Sequence, residues 1–307
     1  MDLTDIGKMT ETECREYLAK IRWPNGPVCA HCKSQEVTEL KGKATRAGVY
    51  KCRECRKQFT VTVGTIFEGS HIKLNIWISA FYLLCSSKKG MSALQIKRML
   101  GLKSYQSAWF MCHRIRHAMH ITPTVDNQIG GYSNPVQVDE CYIGGKAYNK
   151  AFGPEPKKTP VLALVSKDGK ARTRVIKSSS SKELKRAINQ NVSMYSTIMT
   201  DEHRGYGGIG KEFAGGHHTV IHSKKEYVRG KVTTNTVEAF FALLKRGIIG
   251  TFHHVSADHL HRYCDEFAFR WSNKELLDDE RTAEAISMTG GKKLAYKNRI
   301  KGIIDKT

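Results

Sequence analysis

Three acidic residues in this 307-residue chain stand where an acid invites chemistry. Asp139 lies within Val136-Gln137-Val138-Asp139-Glu140-Cys141-Tyr142-Ile143-Gly144-Gly145, which alternates like a strand with one buried face. A carboxylate there is costly to bury unless it is paired or binds a metal. Asp201 closes Ile198-Met199-Thr200-Asp201, and Glu238 falls in Thr234-Asn235-Thr236-Val237-Glu238 at the start of a helix. Three acids on separate elements can hold two divalent ions roughly 4 Å apart, with one carboxylate bridging both. Mg²⁺ (or Mn²⁺) suits such oxygen ligands, and the pair would serve phosphodiester cleavage. Lys245, seven residues beyond Glu238, lies two turns along the same helix face and could contact a phosphate.

Each acid also has a purely structural reading. Asp139 could pair with an internal Lys or Arg, and Asp201 could cap a turn. Asn235-Thr236-Val237-Glu238 fits a helix capping box, with Asn235 at the cap. Strand alternation sends the neighbouring Glu140 to the face opposite Asp139.

A second metal chemistry comes from Cys29-Ala30-His31-Cys32 and, after 19 residues, Cys52-Arg53-Glu54-Cys55. Two such pairs at this separation match a four-cysteine zinc ribbon. Four thiolates fill a tetrahedral Zn²⁺ site, so the site is structural and His31 is a surface side chain. Lys33, Lys41, Lys43, Arg46, Lys51, Arg53, Arg56 and Lys57 surround it, as a DNA-contacting head or as a solvated basic surface.

The charge balance fits a polyanion. Fifty Lys and Arg against 29 Asp and Glu leave a net charge of +21, most simply explained by a nucleic-acid partner. Hydrophobic content of 40% is enough for real cores. No apolar run approaches the length of a membrane span, and the N-terminus has no charged-then-apolar signal pattern. A cytoplasmic protein is expected, its nine cysteines serving as ligands or buried thiols.

The elements that must position these residues follow in order. Residues 10–22 read as a helix capped by Thr10 or Thr12, with Tyr17, Leu18 and Ile21 on its apolar face. An apolar helix over 72–86 is followed by a helix-turn-helix pattern over 91–116. There Leu94, Ile96, Met99 and Leu100 supply the first apolar face and Gly101 the turn. Ser104 caps the second helix, and Trp109, Cys112 and Ile115 or Met119 face inward. Lys103, Tyr105, Gln106 and Ser107 would then be available to a major groove; an ordinary helical hairpin fits the same pattern. After a linker-like stretch over 121–135 come strands at 136–145, 159–165 and 170–176 and a helix at 181–191. Strands at 196–201 and 217–222 and helices at 235–246 and 257–271 follow. Three strands as a meander, then helix, strand, strand and helix, is the order of a ribonuclease-H-like α/β fold.

The expected domains are an N-terminal helix (1–27), the zinc ribbon (28–62), a helical helix-turn-helix-like DNA-binding region (70–120), a ribonuclease-H-like catalytic domain (134–275) and a basic C-terminal tail (276–307). Lys292, Lys293, Lys297, Arg299, Lys301 and Lys306 make that tail basic.

The segments Val138–Lys146, Thr200–Tyr206, Thr234–Gly247, Gly250–Ser256 and Tyr263–Arg270 resemble bacterial insertion-sequence transposases of the DDE type. The whole chain from about 10 to 275 resembles the group that carries a zinc ribbon ahead of the catalytic domain. The resemblance implies that Asp139, Asp201 and Glu238 are catalytic, with Mg²⁺ between them and Lys245 as the basic residue of the third motif. Some members of the group carry Asn in that motif, which adds Asn235 as a candidate. It also implies transposon-end double-stranded DNA as substrate, cleavage followed by strand transfer, and a homo-oligomer that holds two ends. A DNA-binding regulator with an inactive acid triad and a nuclease that cuts without joining are the alternatives.

Overall fold

Helix starts in the first part of the chain follow its capping residues. In the computed structural model, which describes residues 1–42, 45–144 and 158–294, Asp2 caps α1 (Leu3–Lys8). Thr10 caps α2 (Glu11–Arg22) through a reciprocal pair with Glu13. Sequence periodicity misses α1 because six residues carry too little pattern. The strands β1 (Val37–Glu39), β2 (Val49–Cys52) and β3 (Gln58–Thr60) form a three-stranded antiparallel sheet. Its small core is aromatic, with Trp23 edge-on to Tyr50 and Phe59 at 5.5 and 5.9 Å. Helix α3 (Leu74–Ser86) is apolar on nearly every side, and Leu74, Trp77, Ile78, Phe81 and Leu84 are all buried.

The helical hairpin follows as α4 (Ala93–Met99) and α5 (Tyr105–Ala118), with Gly101 at φ +63 between them. Its inner face differs from the expected one. Ile96 is buried, but Leu94 and Met99 are 42% and 50% exposed. With only seven residues, α4 presents one row to its neighbour. Ser104 occupies the cap position of α5 without capping it, because its hydroxyl bonds the Gln106 side chain at 2.8 Å.

Residues His120–Lys274 make a separate unit. Five strands form its sheet: β4 (Val136–Ile143), β5 (Thr159–Ser166), β6 (Ala171–Val175), β7 (Ile198–Thr200) and β8 (His217–Thr219), in the order β6-β5-β4-β7-β8. β4, β5 and β6 are an antiparallel meander; β7 and β8 run parallel to β4. The run Pro160–Ser166 is buried throughout, as expected of a strand covered on both faces. Leu184 and Ile188 of α6 (Ser181–Asn191) cover one face, with Val136, Val138, Leu162 and Leu164 beneath. The other face carries α7 (Asn235–Gly247) and α8 (Ala257–Ser272). There Phe240, Leu244, Leu260, Cys264 and Phe267 pack on Cys141, Ile143, Val161, Ala163 and Val165. A short hairpin, β9 (Val228–Arg229) with β10 (Val232–Thr233), precedes α7.

Where a basic tail is expected from residue 276, the chain forms α9 (Asp278–Ser287), which belongs to the first unit and packs on α3. Ala285 and Ile286 are buried, and Arg281 donates to the carbonyl of Cys85 at 3.1 Å. Charge alone hid this helix: its apolar residues are few and its start is acidic. Lys297, Arg299, Lys301 and Lys306 lie outside the described residues. No helix among the described residues is long and apolar enough to cross a membrane.

Phe240 is fully buried between α7 and the sheet. Phe240→Ala should destabilise the second unit by about 3–5 kcal/mol, the scale of an aromatic core truncation. Urea unfolding of the two proteins measures it; a loss below about 1 kcal/mol would mean the α7 core is not closed as described.

Candidate active site and metal centre

Strand parity decides where the acid of β4 points. Cys141 and Ile143 belong to the core under α7 and α8, and Val136 and Val138 to the core under α6. Asp139 shares the parity of Cys141 and faces the α7 side. Its partner across the ladder is Ala163, from the same core. The carboxyl is half-buried, and the amide of Glu140 donates to its Oδ1 at 2.8 Å. Burial, followed by the charges of Asp201, Glu140 and Glu238, pushes its pKa up to about 7 despite that amide. The three acids proposed from sequence therefore act on one another electrostatically.

Glu140 faces the other way, as alternation requires. Its carboxylate accepts from the buried Tyr206 hydroxyl and stands 3.4 Å from His203 Nδ1. Burial and this carboxylate hold the Tyr206 phenol well above its usual range.

Asp201 comes to the site through the parallel pairing of β7 with β4. Val136 pairs with Ile198 and Gln137 with Met199, so Asp201 lies two residues beyond the last pair, at the level of Asp139. Its Oδ1 accepts from the amide of His203 at 3.0 Å. The turn-capping reading of Asp201 and its place beside Asp139 thus coexist.

The capping-box reading of Glu238 fails. Thr234 occupies the cap position and Asn235 is the first helical residue, exposed. The helix amides are satisfied from elsewhere: Gln137 Oε1 accepts from Thr236 N at 2.9 Å and Val237 N at 3.1 Å. Glu238 is left free of any cap duty. Its Oε1 accepts from the Thr234 hydroxyl at 2.7 Å and stands 3.4 Å from His222 Nε2. Lys245 is exposed two turns on, close enough for its charge to lower the Cys141 thiol, which burial raises to about 12.

Sequence reasoning missed three residues around these acids. Gln137 has the same parity as Asp139, and a second polar residue on the buried parity of β4 was the available signal. His222 holds Glu238 and Thr234, the latter at 3.2 Å. Glu202 accepts from the amides of Ser223 and His222 at 2.9 and 2.8 Å and so fixes the segment bearing His222. The Ser223 amide, its own amide and that of His222 hold Glu202 down to about 2.

The cysteines converge in the first unit. Cys29 Sγ lies 3.6 Å from Cys55 Sγ, and Cys32 Sγ 3.5 Å from Cys52 Sγ. All four sulfurs lie within 4.8 Å of one another, and among the described residues no other group of three or more His, Cys, Asp or Glu does so. Burial opposes ionisation of Cys29, but the amides of Cys32 and His31 outweigh it and hold the thiol at about 6. Amides aimed at sulfur suit a metal-bound thiolate. His31 is not a ligand: its Nε2 pairs with the Gln58 carbonyl at 3.3 Å. At the start of α5, Lys103, Tyr105, Gln106 and Ser107 are all exposed.

The region bearing the three acids and the region bearing the four cysteines both match known families. The model of an ISXO2-like transposase domain matches residues 131–272, spanning all three acids, and that of a transposase zinc-ribbon domain matches residues 9–58, spanning all four cysteines. The chain belongs to the insertion-sequence transposases with an N-terminal zinc ribbon. It is also similar to a protein in transposable element ISH50 of Halobacterium salinarum, itself uncharacterised. That protein is 27% identical over 293 residues, covering 88% of this chain and 95% of the relative. The cysteine quartet is accordingly the structural zinc site of the transposase's ribbon.

Two expectations follow for the transposase. The folded-state pKa of Asp139 lies above its ordinary value of 3.8. The group therefore costs nothing in acid, and its penalty grows as pH rises from about 4 through about 7. Without added divalent metal, Asp139→Asn should melt above the wild type at pH 8, with the gap closing as pH falls through that window. Equal melting temperatures across the range would refute the burial of this charge. Gln137→Ala should cost about 1 kcal/mol, the scale of a lost N-cap, whereas Gln137→Glu, which keeps an acceptor for both amides, should lose less. Equilibrium unfolding of both variants tests this, and an unaffected alanine variant would sink the capping role.

Proposed function

We propose that this transposase binds the ends of its element and catalyses metal-dependent strand cleavage followed by strand transfer. One observation carries the reading: Asp139 is half-buried on a central strand, and its carboxyl is raised first by that burial and then by the charges of Asp201, Glu140 and Glu238. A half-buried carboxylate that feels the charge of other carboxylates is the arrangement a divalent cation relieves. The strand order β6-β5-β4-β7-β8, with α7 and α8 on the acid-bearing face, supports a ribonuclease-H-like catalytic domain.

The donor set fits Mg²⁺ or Mn²⁺. Asp139, Asp201 and Glu238 offer only hard carboxylate oxygens, and Glu238 is 44% exposed, open to water and substrate. Bound there, the metal would supply charge neutralisation on the phosphate and activation of the attacking oxygen.

The residues themselves have separate tasks. Asp139, from the rigid centre of the sheet, is the fixed ligand. Asp201 and Glu238 approach it from the end of β7 and the start of α7. Gln137 locks the start of α7 to β4, and His222 with Thr234 orients the Glu238 carboxylate. Lys245 is the phosphate contact beside the reacting strand. Asn235, exposed at the first position of α7, lines the same approach as a secondary contact. The helix-turn-helix surface at Lys103, Tyr105, Gln106 and Ser107 reads duplex DNA. Two ends must be held together for insertion, so the working form is a homo-oligomer, acting on DNA in the cytoplasm.

The decisive experiment uses DNA carrying the element's ends, Mg²⁺, and wild-type or Asp139→Ala protein. Cleavage and joining should fall by about 10³-fold or more, the scale of losing a group that acts in the transition state, while end binding is retained. Cleavage persisting in Asp139→Ala would overturn the acid site. Joining of a pre-cut end by the wild type separates a transposase from a nuclease that only cuts, and binding without either product would assign a regulator.

A further inference from the structure

The two zinc knuckles share one backbone plan. In the first, the Cys29 amide bonds the Ser34 carbonyl at 2.9 Å; in the second, the Cys52 amide bonds the Lys57 carbonyl at 3.1 Å. Each closes over the residue just after its second cysteine, Lys33 or Arg56. Both residues are left-handed, at φ 67 and φ 59. That conformation favours glycine and strains any residue with a Cβ. The chain nevertheless places a long cation at both equivalent positions.

Both side chains are exposed. Among the described residues neither has a hydrogen-bond or ion-pair partner, in contrast to Arg53, which donates to Thr38 at 3.0 Å. The left-handed turn belongs to the knuckle itself, where the Lys33 amide also bonds the Cys29 carbonyl at 3.1 Å. What points outward, to a ligand, is a long cation without an internal side-chain partner at both positions that suit glycine better. Cations flanking a metal that clamps both knuckles are held on stiff backbone, which lowers the entropy lost on binding.

We propose that Lys33 and Arg56 form a two-point grip on the phosphate backbone of duplex DNA, with the zinc ribbon as its rigid mount. The proposal rests on the transposase reading for its partner. Contacts to phosphate are independent of sequence, so the ribbon positions the protein along the duplex and leaves base reading to other elements. A competing role for the same cations is to offset the charge of four thiolates around zinc, and the test separates the two.

The test uses full-length zinc-loaded protein and a fluorescein-labelled duplex of arbitrary sequence. Association constants are measured across a salt series for the wild type, for Lys33→Gly and Arg56→Gly, and for the double Gly and double Ala variants. Lys8→Ala, an exposed lysine outside the ribbon, controls for net charge. Zinc content and melting temperature are read on the same samples. The slope of log K against log salt should fall by ~0.9 for each knuckle cation removed, Gly and Ala alike. It should not change in Lys8→Ala. Zinc content should stay at the wild-type level, and the double Gly variant should melt above the double Ala variant, because only glycine relieves the strain. A wild-type slope in the double variants overturns the proposal, as does an equal drop in Lys8→Ala. Loss of zinc from the variants would assign the cations to the thiolates instead. A wild type that binds no duplex sinks the transposase reading too, whereas cleavage by a wild type whose double variants bind equally well sinks this proposal alone.

Discussion

The second unit is built around one unfavourable arrangement, a carboxylate on the central strand of a sheet with other carboxylates near it. Asp139 is raised by burial and by its neighbours, and each of those causes is a penalty in the metal-free protein. Such a group persists only where the surrounding structure is stable enough to carry it. Both faces of the sheet are closed by apolar cores, one under α6 and one under α7 and α8, with fully buried residues in each. Asp139 and Glu140 divide between those faces by parity alone, which puts one acid at the α7 face and commits the other to Tyr206 and His203.

A second constraint concerns precision. An acid on a strand and an acid on a helix keep a fixed separation only if strand and helix are coupled locally, since packing of apolar side chains tolerates small slips. Gln137 provides that coupling. It sits two residues before Asp139 and takes the two amides that precede Glu238, joining positions 99 and 100 residues apart in sequence. The same bonds explain why Glu238 needs no capping role and why Asn235 is not the cap. Glu202 does comparable work on the other side, holding the segment whose His222 orients Glu238.

Much of this was legible in the sequence because it rests on periodicity. The alternation in β4, the fully apolar β5 and the 3.6-residue pattern of α7 and α8 each predict an element, and the parity of Asp139 and Glu140 follows without coordinates. The CxxC pairs are legible for a different reason: four sulfurs have few other uses at that spacing. What escaped depends on tertiary contact. Nothing local tells that Gln137 caps a helix a hundred residues away, or that α9 returns to pack on α3. Leu94 and Met99 look like an inner face, yet α4 is too short to bury both, and their exposure is set by its neighbours rather than by their type.

The two proposed metal environments are opposites in a way their chemistry requires. The ribbon sets four soft ligands within 4.8 Å of one another, with backbone amides already turned toward sulfur, so binding needs little rearrangement and leaves no open position. The acids stand more widely than that, and Glu238 reaches solvent while Asp139 is half-buried. A hard cation that keeps several waters needs such room, and a DNA phosphate needs it more. Closed geometry at the cysteines gives rigidity, and on the proposed reading open geometry at the acids would leave coordination positions for the reacting oxygens. A substitution that tightened the acid cluster would stabilise the metal-bound protein while closing the positions a phosphate must occupy, which is the trade between stability and activity expected of a site held in this way.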